Sequence, residues 1–233
     1  MGFGTGDAMK LLLTSGRITN ATIKNCLQRL LGKPVSESTV LVIPTAQWGH
    51  LYCDPNSVQS LISGVPTFQY FTGLGWKSLG VLELTALPTI GRDRWIPWID
   101  EIDALLVDGG GATYLAYWMR ESGLHELLDK WPDKVRVDVS VGSMVMIPRI
   151  GNAFVEWCGA EDDRGLGVVD FSIFPHLHAL PNNSLDHAKK WAREIGGPAY
   201  AIDEQTAIAV VDGVVECYPK VSGSAGNPND ELM

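Results

Sequence analysis

Four short stretches of the chain carry residue types that do chemistry together. Val137-Asp138-Val139-Ser140-Val141-Gly142-Ser143 runs an apolar segment into a serine at a tight turn, with a glycine two residues on. A serine at such a strand-to-helix turn has its hydroxyl pushed out above the sheet, and the next backbone N–H can face a developing oxyanion. Asp138 stands where the full G-x-S-x-G signature has its first glycine, and Ser143 is a competing helix cap. Asp108-Gly109-Gly110-Gly111-Ala112-Thr113 follows a buried run and presents N–H groups at a helix start, for a phosphate or an oxyanion. It has neither the G-K-[ST] ending of a P-loop nor the G-x-G-x-x-G spacing. Phe174-Pro175-His176-Leu177-His178 offers an imidazole base, or a metal pair with no third ligand nearby. Ile202-Asp203-Glu204-Gln205-Thr206 offers an acid to orient an imidazole. Each stretch taken alone also fits an ordinary cap, turn or solvated loop. Together they supply nucleophile, base, acid and oxyanion donors for a serine hydrolase.

The elements that must position these residues alternate. Strands are expected over Lys10–Ser15, Thr39–Ile43, Trp76–Leu82, Ala104–Val107, Val135–Val139, Phe171–Phe174 and Ala199–Ile202. Helices are expected over Ala21–Leu31, capped by Asn20 and stopped by Gly32, then over Ser57–Ile62, Arg94–Ile102, Thr113–Ser122, Leu124–Lys130 and Ser184–Ile195. Trp95, Trp98 and Ile102 are expected to share one helix face. Thr206–Val211 and Val214–Tyr218 flank Asp212-Gly213, a type I′ hairpin signal. The alternation predicts an α/β three-layer sandwich with a mostly parallel central sheet and an antiparallel hairpin at one edge. In such folds ligands bind beyond the carboxyl ends of the strands. The loops at Ser15, Pro44, Asp108, Ser140, Pro175 and Asp203 are therefore the ones to watch.

The chain has 233 residues and a net charge of −9, with only 19% charged residues, which describes a core-rich globular protein. The acidic balance argues against a basic, phosphate-facing surface for nucleic acid and against a polybasic membrane surface. No apolar run approaches the roughly 18 residues of a membrane span, and residues 1–8 lack the charged and apolar regions of a secretory signal. We expect residues 1–8 to be an extension, 9–221 one α/β domain and 222–233 a flexible tail. Cys26, Cys53, Cys158 and Cys217 show no C-x-x-C spacing, so reduced thiols in a cytoplasmic protein are expected, with no metal and no cofactor.

In the order and spacing of these motifs, with Lys10-Leu11-Leu12-Leu13-Thr14-Ser15 and Gly165-Leu166-Gly167 added, the chain resembles the dipeptidase E (aspartyl dipeptidase) and cyanophycinase family of serine peptidases from about Met9 to Tyr218. The resemblance implies a class I glutamine amidotransferase-like fold. It implies a triad of Ser140, His176 and Glu204, with oxyanion donors at the N–H groups of Gly110 and Val141. It also implies short peptide substrates, with an N-terminal aspartate or related β-linked aspartyl material. Such a substrate needs a cation, for which Arg149 and Arg164 are the sequence candidates. His178 occupies a position often held by Asp. Val141 and Asp138 replace the usual Ala and Gly. Two other readings stay open: a hydrolase of non-peptide amides or esters, and a non-catalytic ligand-binding relative. A homodimer is open too, since Trp95, Trp98, Tyr114, Tyr117 and Trp118 suit a core, a pocket or a dimer face.

Overall fold

The structure is a computed structural model that describes residues 9–179 and 181–218; the expected extension at 1–8 and tail at 222–233 lie outside the described residues. Nine strands and seven α-helices are described. The strands are β1 (Lys10–Thr14), β2 (Thr39–Ile43), β3 (Ser78–Val81), β4 (Ala104–Val107), β5 (Val135–Val139), β6 (Ser172–Phe174), β7 (Ala199–Ala201), β8 (Ala207–Val211) and β9 (Val214–Tyr218). The helices are α1 (Ala21–Leu31), α2 (Pro55–Ser63), α3 (Leu87–Ile90), α4 (Arg92–Asp100), α5 (Ala112–Glu121), α6 (Val141–Val145) and α7 (Leu185–Ile195).

Seven strands form one sheet in the order β3-β2-β4-β5-β1-β8-β9. The first five are parallel, and β8 and β9 run antiparallel. The side-chain alternation of period two sends neighbouring residues to opposite faces. Leu11, Leu13, Leu105 and Val107 enter the layer holding α4, α5, α6 and α7. Leu12, Leu106, Val137 and Val139 enter the layer holding α1 and α2. Two cores on one sheet make the three-layer sandwich that the alternation predicted.

Local signals explain the ends of the elements. The Asn20 side chain accepts the Ile23 N–H at 3.0 Å, and Gly32 closes α1 at φ 68°. Asp54 and Ser57 form a capping box on α2, so this helix starts earlier than the apolar pattern alone suggests. Asp212 and Gly213 both take positive φ, as a type I′ turn requires.

Three expectations are corrected. The Phe171–Phe174 strand and the Ala199–Ile202 strand do not join the main sheet; β6 and β7 pair in parallel as a separate two-stranded sheet. The stretch over Leu124–Lys130 is a 3₁₀ helix from His125 to Lys130. Trp98 is 41% exposed while Trp95 and Ile99 are buried, so the buried face of α4 follows the i, i+4 pair and leaves Trp98 outside.

Candidate active site

Ser140 follows β5 directly and heads α6 with φ 55° and ψ −118°. This is a conformation that non-glycine residues seldom adopt, and it persists only where the surroundings enforce it. Three contacts do so. The Ser140 N–H donates to the Thr14 carbonyl at 2.9 Å. The Ser143 hydroxyl donates to the Thr14 and Asp138 carbonyls at 2.8 and 3.1 Å, so Ser143 serves as a strut beneath the turn. Gly142 lets α6 lie against β4, since a Cβ there would come within 2.8 Å of the Val107 carbonyl oxygen.

The two departures beside Ser140 are accommodated. Asp138 turns into the core, fully buried, and both its carboxylate oxygens accept from Arg136 Nε at 2.9 Å. Arg136 is equally buried and lies on the same face of β5, two residues earlier. Asp138 thus does not enter the turn. Val141 is half-buried and packs on the core at the start of α6.

His176 lies in the loop after β6, with φ 57°. Its Nε2 is 2.7 Å from Ser140 Oγ and its Nδ1 is 2.5 Å from Glu204 Oε1. The ring is fixed from its own backbone as well, because the His176 N–H donates to Ser15 Oγ at 2.6 Å. The Leu177 N–H donates to the Ile202 carbonyl at 3.1 Å, joining the histidine loop to the strand that leads to Glu204. Glu204 follows β7. Its carbonyl accepts the Thr19 hydroxyl at 2.6 Å, and the neighbouring Gln205 carbonyl accepts the Asn20 amide at 2.9 Å. Gly16 backs the carboxylate so closely that a Cβ would lie 1.6 Å from Glu204 Oε2. Seen as chemistry, a hydroxyl, an imidazole and a carboxylate form one hydrogen-bonded row. With Glu204 ionised, Nδ1 carries the proton and Nε2 is free to accept the serine proton.

The glycine run after β4 reaches the same place. Gly109 abuts Ser140, where an added Cβ would be 3.1 Å from Ser140 Cβ, and Gly110 takes φ 143°. Among the described residues neither the Gly110 nor the Val141 N–H has a hydrogen-bond acceptor. Both are thus available as donors to a ligand.

A pocket of about 270 Å³ opens over this row. Its wall includes Arg17, Gln47, Phe68, Asp108, Ser140 and His176. Arg149 and Arg164, the sequence candidates for a substrate cation, are elsewhere. Arg149 is paired with Asp163 at 2.8 Å and Arg164 with Asp162 at 2.5 Å, and neither lines the pocket. Asp163 and Asp162 claim them. His178 is exposed and also outside the pocket wall. Among the described residues the cation that does line it is Arg17, which no motif in the sequence singles out. It sits two residues beyond Ser15 in the β1–α1 loop, and the rule that ligands collect at strand ends pointed to that loop without pointing to the residue.

Among the described residues no cluster of three or more His, Cys, Asp or Glu side chains is arranged to hold a metal ion. No described helix is long and apolar enough to cross a membrane.

Known proteins share this architecture. A candidate peptidase E protein from Listeria monocytogenes EGD-e superposes with a TM-score of 0.66 at 21% identity, covering 91% of this chain and 98% of that one. A peptidase from an acI-B1 Actinobacterium superposes with a TM-score of 0.64 at 17% identity, covering 87% and 83%. At these identities the likeness speaks for the fold. No curated protein matches the chain. The model of peptidase family S51 matches residues 11–218, nearly the whole described chain, so this protein belongs to peptidase family S51 and is a serine-type peptidase.

Proposed function

We propose that the protein hydrolyses short peptides through an acyl-enzyme on Ser140. Ser140 Oγ attacks the peptide carbonyl carbon while its proton passes to His176 Nε2. Glu204 stays ionised and holds the imidazolium that forms. The tetrahedral oxyanion lies between the N–H groups of Gly110 and Val141; losing one such donor costs about 3 kcal/mol in the transition state. The C–N bond breaks as His176 returns the proton to the leaving amine. Water then gives a proton to His176 and attacks the ester carbonyl, and His176 returns that proton to Ser140 Oγ as the ester C–O bond breaks.

The observation that carries this reading is the Ser140–His176–Glu204 row, with separations of 2.7 and 2.5 Å. The small pocket favours short substrates of the dipeptide class, and the family resemblance adds aspartate at the N-terminus. Unpaired Cys26, Cys53, Cys158 and Cys217 favour a reducing, cytoplasmic setting. Labelling by a fluorophosphonate probe tests the nucleophile. Wild type is expected to label and Ser140→Ala to lose both the label and peptide hydrolysis, the latter by about 10,000-fold or more. Equal turnover of dipeptides by the two proteins would refute the role of Ser140.

A further inference from the structure

The β1–α1 turn puts an arginine where arginine is strained. Arg17 has φ 78°, a left-handed backbone that costs an ordinary residue about 1–2 kcal/mol. Its guanidinium lies over the Phe68 ring, 4.6 Å from the centroid. Behind it stands Asp108, buried to 2% exposure, whose Oδ1 is 3.8 Å from Arg17 Nη2. That is close enough to orient the charge and too far for a hydrogen bond.

Asp108 is itself held from the other side by Gln47 Nε2 at 2.5 Å. Asp108 Oδ1, Gln47 Oε1 and Arg17 Nε are all buried with no hydrogen-bond partner. Among the described residues the Arg17 side chain donates no hydrogen bond at all, although it is only 26% exposed. Among the described residues, Arg17 is the one lysine or arginine in the wall of the pocket that holds Ser140. A half-buried guanidinium oriented by an aromatic face and a distant counter-charge, with its donors unspent, is a fork waiting for a planar anion.

We infer that Arg17 is the specificity-determining residue of this peptidase and binds a carboxylate of the peptide substrate, with Asp108 and Gln47 positioning it. The inference rests on the proposed reading of Ser140. Two carboxylates of a short peptide have the required chemistry: the side chain of an acidic N-terminal residue and the C-terminal carboxylate. The described geometry serves either.

Binding to Ser140→Ala separates recognition from turnover. Calorimetry with Asp-Leu, Ala-Leu and Asp-Leu amide is run on Ser140→Ala, and on Ser140→Ala carrying Arg17→Met or Arg17→Lys. Charge-assisted hydrogen bonds predict that Asp-Leu binds about 10- to 100-fold more tightly than whichever ligand lacks the recognised carboxylate. Arg17→Met is expected to bring that ratio close to 1, and Arg17→Lys to restore part of it. If the side chain is recognised, the Asp-Leu to Ala-Leu ratio collapses; if the terminus is recognised, the Asp-Leu to Asp-Leu amide ratio collapses. If neither ratio exceeds threefold in Ser140→Ala, or neither responds to Arg17→Met in a variant that keeps its wild-type circular dichroism, the inference is overturned. Fluorophosphonate labelling of the wild-type protein decides the Ser140 reading independently of these ratios.

Discussion

Two buried carboxylates stand at neighbouring strands on either side of the Ser140 turn, and they are treated in opposite ways. Asp138 on β5 pairs in register with Val107, the residue immediately before Asp108. Asp138 faces the helical layer and is bound at 2.8–2.9 Å by an equally buried arginine. Asp108 faces the pocket, and its arginine is held off at 3.8 Å. Burial pushes both carboxyls above the usual range, Asp138 to about 6 against the pull of Arg136. The difference lies in contact. The buried arginine on β5 is hydrogen-bonded to its carboxylate through Nε and serves the fold. The arginine beside Asp108 is held off its carboxylate and keeps its donors for the pocket.

That contrast can be broken most forcefully at the close pair. Arg136→Met is expected to destabilise the chain by about 3–5 kcal/mol, because Asp138 is left buried and unpaired. Arg136→Met combined with Asp138→Ala is expected to recover most of that loss, as seen by denaturant unfolding. A double variant no better than the single one would mean that the pair has no mutual dependence.

The same carboxyl gives a pH dependence. Between about pH 4 and 6 the folded chain keeps a proton on Asp138 that the unfolded chain has released. The contribution of this group to stability therefore falls as pH rises through that window, by up to about 3 kcal/mol, and is flat above it. Thermal midpoints of wild type relative to the double variant, taken across this range, are expected to show the decline; a difference that rises instead would contradict the assignment.

At the open pair, Asp108→Asn is expected to change stability by under about 1 kcal/mol, since the Asn oxygen still accepts from Gln47 and a desolvated charge is removed. The Asp-Leu preference is expected to weaken several-fold as Arg17 loses its guide. The smallest stability effect belongs to Arg17→Gly. Relief of the left-handed backbone and loss of the Phe68 contact offset each other to within about 1 kcal/mol, while carboxylate preference disappears. A large loss of stability would mark Arg17 as a structural residue.

Much of this molecule was legible in its residues. Asn20, Gly32 and Asp212-Gly213 announce their cap and turn because local backbone chemistry decides those positions. Ser140, His176 and Glu204 were findable because each follows an apolar run at a strand end. The small second sheet was not legible, since β6 and β7 have three residues each and pairing between such short runs is set by tertiary contacts. Trp98 looked like core, but a periodic pattern cannot say how wide the buried stripe is. Arg17 escaped notice because a long side chain in a loop has no spacing signature. Arg149 and Arg164 lie near the site residues in sequence, but the fold brings Asp163 to Arg149, and Asp162 stands two residues from Arg164.

One turn carries both the support for the relay and the proposed anchor. At residue 16 any side chain would strike Glu204. At residue 17 the backbone already tolerates a large side chain that reaches along the pocket wall. A single peptide bond thus separates a position closed to change from one open to it. On the proposed reading of Arg17, a laboratory library has a seam here at which appetite for new peptides is rewritten one codon away from machinery that must stay as it is.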